Sequence, residues 1–287
     1  MPIQLHQNLN LIALLIIGSF VADIHLSWVD IVLVLAFTLF IEHLFLFFNP
    51  HRTFYLSYSS LSTAVGVIVL MYSSELWIYF VVVALGLFQK HFLTINKRHF
   101  FNPSNFALMM ALLLFYDDAH MVLGQLGDEL WLGVLTFVVA LAILIRVDRW
   151  IISLAFVLFY LGLQYILVVS YDPVMLFQEV YHRFYSVTFT LFIYFMLTDP
   201  AVTPVKWQMQ ILFAFLVAFV SVLLDRVYGF RVQHLFMSVF LFSMFVPLFE
   251  IEIRFKDFIK VVLILFLVMS VIMFIEIQEP YYFEMQG

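Results

Sequence analysis

The chain contains no cysteine. It therefore offers no disulfide, no thiolate ligand for an iron–sulfur cluster, no thioether attachment for haem and no thiol nucleophile. Charge is the second scarcity. Asp, Glu, Lys and Arg make up 11% of 287 residues, against about a quarter in soluble domains. Long polar stretches are missing as well, and none is long enough to fold alone, so no separate soluble domain is expected. Zinc-motif spacing, phosphate-binding loops and hydrolase elbows do not occur. The basic residues are scattered along the chain rather than gathered in one patch, which argues against nucleic-acid binding.

What is present is apolar. Hydrophobic residues are 65% of the chain and the mean hydropathy is +1.09. A very oily soluble core does not explain this, because apolar runs of spanning length recur from end to end. The expectation is an all-α, polytopic transmembrane helix bundle forming one membrane domain over residues 1–287. Apolar runs between charged or turn-forming breaks number about eleven, at approximately 9–26, 29–48, 57–72, 75–93, 104–120, 129–146, 149–170, 183–197, 206–224, 232–249 and 257–277. The first run follows an uncharged start and lacks a small-residue cleavage site, so it reads as a retained helix rather than a signal peptide.

The basic residues test this count. With eleven spans and a cytoplasmic N-terminus, ten of the thirteen Lys and Arg fall on or near inner connections: Arg52, Lys90, Lys97, Arg98, Arg146, Arg149, Lys206, Arg254, Lys256 and Lys260. Arg183, Arg226 and Arg231 fall outside. The outer segments are acidic, with Asp117, Asp118, Asp128, Glu129, Asp172 and Glu179, and the tail holds Glu279 and Glu284. That is the positive-inside asymmetry, and it places the C-terminus outside. Spans 1–5 and 6–10 pair as two repeats, about 9–120 and about 129–249, with an extra helix at about 257–277. The third span opens SYSSLSTAVG and the eighth FYSVTFTLF, both shorter than their neighbours. Five spans per repeat is odd, so the repeats would be inverted. Ser59, Ser62, Thr63 and Gly66 fall on one helical face. Ser186 and Thr190 are four apart, with Thr188 between them. Such residues either line a site between repeats or let membrane helices pack closely.

Two motifs interrupt the apolar pattern. In HFFNPSNFALMM, Asn102 suits a helix N-cap and Pro103 the first helical position. Ser104 and Asn105 follow in the first turn, whose amides favour an anion or an electron-rich ring edge. Lys97 and Arg98 add positive charge. A plainer reading is a tidy helix start beside topology-setting cations. In YFMLTDPAVTPVKW, Pro200 stops the eighth span. Asp199 then sits at a helix C-terminus, where the dipole disfavours an acid. It calls for turn capping, a basic partner, or a part in ion or cofactor handling.

RHFFNPSNFALMMALLLF and FMLTDPAVTP resemble signature stretches of the RnfD/NqrB family, membrane proteins of the Rnf electron-transport complex and of the sodium-translocating NADH:quinone oxidoreductase. GQLGDELWLGVLTF resembles the segment opening that family's second half. WQMQILFAFLVAFVSVLLDRVYGF with HLFMSVFLFSMFVPLFE resembles its closing pair of helices. Order and spacing match over about residues 10–250. The resemblance implies a bacterial inner-membrane protein that holds flavin and passes electrons, coupled to sodium or proton movement. One departure is plain. The family's Ser-Gly-Ala-Thr tetrapeptide, whose threonine carries a phosphoester-linked FMN, would lie between spans 5 and 6. That connection is FYDDAHMVLGQLGD here, with no Ser or Thr, so covalent flavin there is excluded. The glycine-rich approach to Asn102-Pro103 is replaced by KHFLTINKRH.

The first expectation is therefore an electron-relay component, at most a non-catalytic part of a membrane oxidoreductase, binding flavin (FMN or riboflavin) non-covalently between the repeats. Asn102, Ser104 and Asn105 would present polar groups, and Lys97 or Arg98 would meet a phosphate if the flavin is FMN. Ser59, Ser62, Thr63, Ser186, Thr188 and Thr190 would line the seam, and Asp199 would organise its turn or handle a cation. With no iron–sulfur relay of its own, the chain needs other membrane or soluble redox proteins, besides membrane lipid, as partners. Two other readings stand: an inverted-repeat channel or transporter that has lost the redox role, and a structural or assembly component of a membrane complex. Haem is disfavoured. His43 and His91 could be imagined as axial ligands, but histidines at span ends are more often interfacial. Glu42 reads either as a proton carrier or as a snorkelling end residue.

Overall fold

A computed structural model describes residues 3–22, 24–49, 55–95, 98–122, 125–126, 130–171, 180, 183–249 and 255–278. Arg52, Lys97 and Arg254 lie outside the described residues, as do Asp128, Glu129, Asp172, Glu179, Glu279 and Glu284. The architecture is helical. The helices are α1 (Ile3–Val21), α2 (Trp28–Phe48), α3 (Leu61–Leu70), α4 (Leu76–Phe92), α5 (Pro103–Leu114), α6 (Leu130–Val147), α7 (Trp150–Gln164), α8 (Val187–Leu191), α9 (Trp207–Tyr228), α10 (Gln233–Phe242), α11 (Phe245–Phe249) and α12 (Phe255–Gln278). Wider π-helical turns extend α7 through Tyr165–Val169 and α8 through Phe192–Met196.

Among the described residues, four helices are long and apolar enough to cross a bilayer: Trp28–Phe48, Trp150–Val169, Trp207–Tyr228 and Asp257–Ile277. Six shorter apolar helices accompany them. Large apolar side chains on the long helices face outward, among them Phe40, Leu158, Leu223 and Phe266. A water-soluble protein would bury these, whereas lipid accepts them. The chain is thus a helical integral membrane protein.

Local chemistry sets several boundaries. Ser27 caps α2, its hydroxyl accepting the Asp30 amide at 3.2 Å. Gly229, with φ +89°, closes α9 in a conformation that side-chain-bearing residues rarely adopt. The third and fifth spans are shorter than the hydropathy pattern suggests. Residues 57–60 precede α3, because the Ser57 and Ser59 hydroxyls turn to the Glu42 carboxylate instead of continuing a helix. After α3 the chain runs extended as β1 (Met71–Ser73). It pairs antiparallel with β4 (Ala119–Met121), which follows α5, with Tyr72 opposite His120. This ladder satisfies backbone groups that the two short helices leave unpaired.

α2 packs on α4, α3 on α5 and α4 on α5. α7 packs on α9, α6 on α8 and α9 on α10. Between these groups, α1 touches α6 and α5 touches α10. At the second of these contacts Phe101 stacks on Phe240 with centroids 4.7 Å apart. The last helix, α12, lies against α10 and α5.

Candidate functional site

The two motifs meet, although they are far apart in sequence. Asn102 caps α5 as its sequence suggests: its Oδ1 accepts the amides of Ser104 at 3.0 Å and Asn105 at 3.1 Å. Pro103 occupies the first turn, where a missing N–H costs nothing. The other end of the Asn102 amide crosses to the second motif, Nδ2 donating to Asp199 Oδ2 at 3.0 Å. Asp199 Oδ1 accepts the Ala201 amide at 2.9 Å, and its carbonyl accepts the Thr203 hydroxyl at 2.7 Å. The carboxylate thus ties down the turn that follows α8 and holds the α5 cap at the same time. Arg98 reaches that turn too, donating to the Pro200 carbonyl at 3.2 Å and the Ala201 carbonyl at 3.4 Å. A short antiparallel pair, β2 (Thr94–Ile95) with β3 (Arg98–His99), brings Arg98 into place.

Behind this junction lies a cavity of about 460 Å³. α1, α3, α5, α6 and the α8 segment contribute to its wall. Its polar lining includes Ser59, Ser62, Thr63, Ser104, Asn102 and Asp199, so six of the residues singled out in the sequence share one space. Ser59 belongs to the turn before α3 rather than to the helix, yet it faces the same way as Ser62 and Thr63. Gly66 completes the wall by letting α5 approach: a Cβ there would meet Ser104 Oγ at 2.7 Å.

Other expected residues stand elsewhere. Asn105 is fully buried, and its Nδ2 donates to the Phe236 carbonyl of α10 at 3.1 Å. Its amide and that of Ser104 are taken by Asn102, so these two first-turn amides are not open to a ligand. Ser186 and Thr190 are buried at the start of α8, where the Thr190 hydroxyl donates to the Ser186 carbonyl at 3.1 Å. They are not among the cavity-lining residues. Lys97 and the side chain of Thr188 lie outside the described residues. The part of the eighth span that reaches the cavity comes later, with Tyr194, Phe195 and Thr198. The π-turn Phe192–Met196 sets their facing. Such turns are common at functional sites. Hydroxyl spacing alone misses it, since an extra residue per turn rotates everything after it.

A charged network adjoins the cavity. Glu42 is fully buried within α2, which removes the snorkelling reading. Its Oε1 lies 2.8 Å from Lys90 Nζ and its Oε2 lies 2.9 Å from His91 Nε2. The Ser57 hydroxyl donates to Oε1 at 2.9 Å. Lys90 also donates to Ser59 Oγ at 2.7 Å, and it lines the cavity. Lys90 and His91 are adjacent in α4, so one turn end holds both carboxylate oxygens. The sequence offered Lys90 only as a topology marker and Glu42 as one lone acid. The signal available was an intramembrane carboxylate, which is costly unless partnered.

No protein-family model matches the chain, and no curated protein matches it either.

Proposed function

We propose that the chain is an electron-transfer membrane protein of the RnfD/NqrB kind that its two motifs resemble, and that it holds flavin non-covalently in the cavity. The observation that carries this reading is the Asn102–Asp199 hydrogen bond at the cavity wall. The two stretches that interrupt the apolar pattern and carry the resemblance are joined in space beside one cavity.

The cavity fits such a guest. About 460 Å³ lies within the roughly 300–1,000 Å³ typical of pockets for ring-containing ligands. Apolar walls from Val65, Leu144 and Phe195 would flank a planar ring. The Ser104 hydroxyl makes only long contacts, 3.4 and 3.5 Å, to the Ser62 and Thr63 carbonyls, which leaves it capacity for a ligand. Lys90 gives hydrogens to Glu42 and Ser59 and faces the cavity. The charge around the site bears on the choice of flavin. Lys90 is neutralised by Glu42, and Arg98 is turned to backbone carbonyls. An uncharged ribityl tail suits this wall better than a phosphate does. When bound, flavin supplies the redox chemistry; the chain supplies position, hydrogen bonds and exclusion of water.

The helix contacts support two inverted five-helix repeats followed by α12, eleven spans in all. Three contacts within the first group have counterparts five helices on: α2–α4 with α7–α9, α1–α3 with α6–α8, α4–α5 with α9–α10. Contacts between the groups join helix k to helix k+5, as α1 to α6 and α5 to α10. That is the pattern of a two-fold axis. Broken helices around a central cavity also favour a solute transporter, the second reading. The visible spectrum of the protein purified in mild detergent separates them. Flavin absorption bands retained through size-exclusion chromatography are expected. A colourless protein overturns the flavin assignment, and solute uptake by liposomes carrying that colourless protein establishes the transporter.

A further inference from the structure

A second buried ionic cluster lies at the far end of α9, remote from the cavity. Asp225 is eighteen residues along the helix from Trp207, about 27 Å at 1.5 Å per residue. His234 of α10 is fully buried beside it, Nδ1 lying 2.6 Å from Asp225 Oδ1. On the other side of the ring, Nε2 lies 3.4 Å from Glu276 Oε1 of α12 and makes no hydrogen bond there. Four further side chains bond to or pair with the ring's two acids. Arg231 donates its amide to Asp225 Oδ1 and sets its guanidinium 3.5 Å from Glu276 Oε2. Gln233 donates to Glu276 Oε1, and Gln164 of α7 donates to Asp225 Oδ2. Arg183 lies 3.8 Å from Asp225 Oδ2 and donates to the Tyr160 hydroxyl. The Tyr228 ring stands 6.5 Å from the imidazole.

Charge and geometry together define what this cluster does. Two carboxylates face two guanidinium groups, so the set is balanced with His234 neutral. In that state Nδ1–H is given to Asp225, and the Nε2 lone pair points at a second carboxylate. A proton on Nε2 turns that opposed contact into a charge-assisted hydrogen bond. Burial of the ring works against the added charge. Both charge states of the imidazole are therefore held by named partners, which is what a reversible carrier needs.

We propose that His234, set between Asp225 and Glu276, is a proton-binding site that exchanges with the aqueous phase at the end of the bundle opposite the Asn102–Asp199 junction. The step balances simply. A proton arriving at the Glu276 carboxylate passes to Nε2, leaving Glu276 ionised and the ring cationic; release runs the same path in reverse. Arg231, half-buried and in contact with Glu276, marks the way in. Intramembrane chains of acid and histidine are where proton carriers are found. The assignment also gives α12 a task, since that helix lies outside the two five-helix groups and contributes the second carboxylate. It stands whatever the cavity binds.

Solid-state NMR of histidine-labelled protein in liposomes tests it, with the His234 ring assigned by sequential correlations on the native chain. The ring is expected to change from neutral to cationic as the pH is lowered. In E276Q the midpoint is expected to fall by about one unit or more, because a carboxylate at this distance favours the cation. A ring that keeps one charge state from about pH 9 to 4 overturns the proposal in the native protein, with no variant required. A midpoint unmoved in E276Q, given native-like spectra for the other histidines, also overturns it.

Discussion

Glu42 and Lys90 illustrate how a single side chain is judged by its partners. A carboxylate and an ammonium buried together gain from each other but lose hydration, so the pair contributes little net stability against an apolar replacement. Breaking it is different. Lys90→Met leaves Glu42 buried with only His91, Ser57 and Ser59 facing it, and an uncompensated buried charge costs about 3–5 kcal/mol. The double variant E42Q/K90M removes both charges and is expected to recover most of that loss. Thermal unfolding in detergent, followed by tryptophan fluorescence, measures both. Equal midpoints for K90M and the double variant would show that the two groups do not act as a pair. Sequence reading found Glu42 as an intramembrane acid but not its partners. Lys90 precedes Glu42's other partner, His91, in α4, and only the packing of α4 on α2 brings the three side chains to one point. By contrast the Asn102 cap was legible, because capping is a local matter of a few consecutive residues. The use of Asp199 as turn cap was legible as one option among three; the bridge to Asn102 depends on tertiary structure and was not.

At the scale of elements, the site depends on how closely α5 approaches its neighbours. Two glycines set this. A Cβ at Gly86 would meet the Pro103 carbonyl oxygen at 2.5 Å and Ala107 Cβ at 3.1 Å. A Cβ at Gly66 would meet the Ser104 hydroxyl at 2.7 Å and Ser104 Cβ at 2.9 Å. Rotation relieves the contact with the Ser104 hydroxyl and leaves the Ser104 Cβ contact at 2.9 Å, which is milder than the 2.5 Å approach to the Pro103 carbonyl oxygen of the α5 backbone. Gly86→Ala is therefore expected to destabilise by about 1–3 kcal/mol, more than Gly66→Ala, and to shift Pro103 and the Asn102 cap with it. Unfolding midpoints rank the two, and a milder effect at Gly86 than at Gly66 would contradict the close α4–α5 packing. Sequence periodicity located these helices but overextended α3 and α5. Hydropathy records which residues avoid water, and Met71, Ser73 and Ala119 of the extended β1 and β4 strands are buried as well as residues of a helix are. The strand pairing that ends both helices is a non-local event without a local signal. The π-turn in the eighth span has the same character. Its residues are ordinary apolar ones, and Phe192, which opens the wider turn, sets its ring 5.0 Å from that of Phe236 in α10.

At the scale of the molecule, the proposed inverted repeat makes a claim about sides. α9 carries Lys206 before its first turn and Arg226 in its last, so these two residues lie at opposite ends of one helix that is long enough to span. The Asn102–Asp199 bond fixes the N-terminal end of α5 and the turn before α9 at the same level. The segment that leads into α5 is then expected to share a face of the membrane with Lys206 and not with Arg226. The absence of cysteine makes this directly measurable, since each introduced thiol is the sole one in the chain. K97C, K206C and R226C are each to be labelled in sealed, right-side-out vesicles with a membrane-impermeant maleimide, before and after permeabilisation. R226C is expected to react in intact vesicles, and K97C and K206C only once the membrane is opened. The positive-inside bias sets which face is which, but the grouping of the three sites does not depend on it. If K97C and K206C label from different faces, α5 and α9 cannot present their N-terminal ends to a common junction. The cavity beneath Asn102 and Asp199 would then lose its geometric basis.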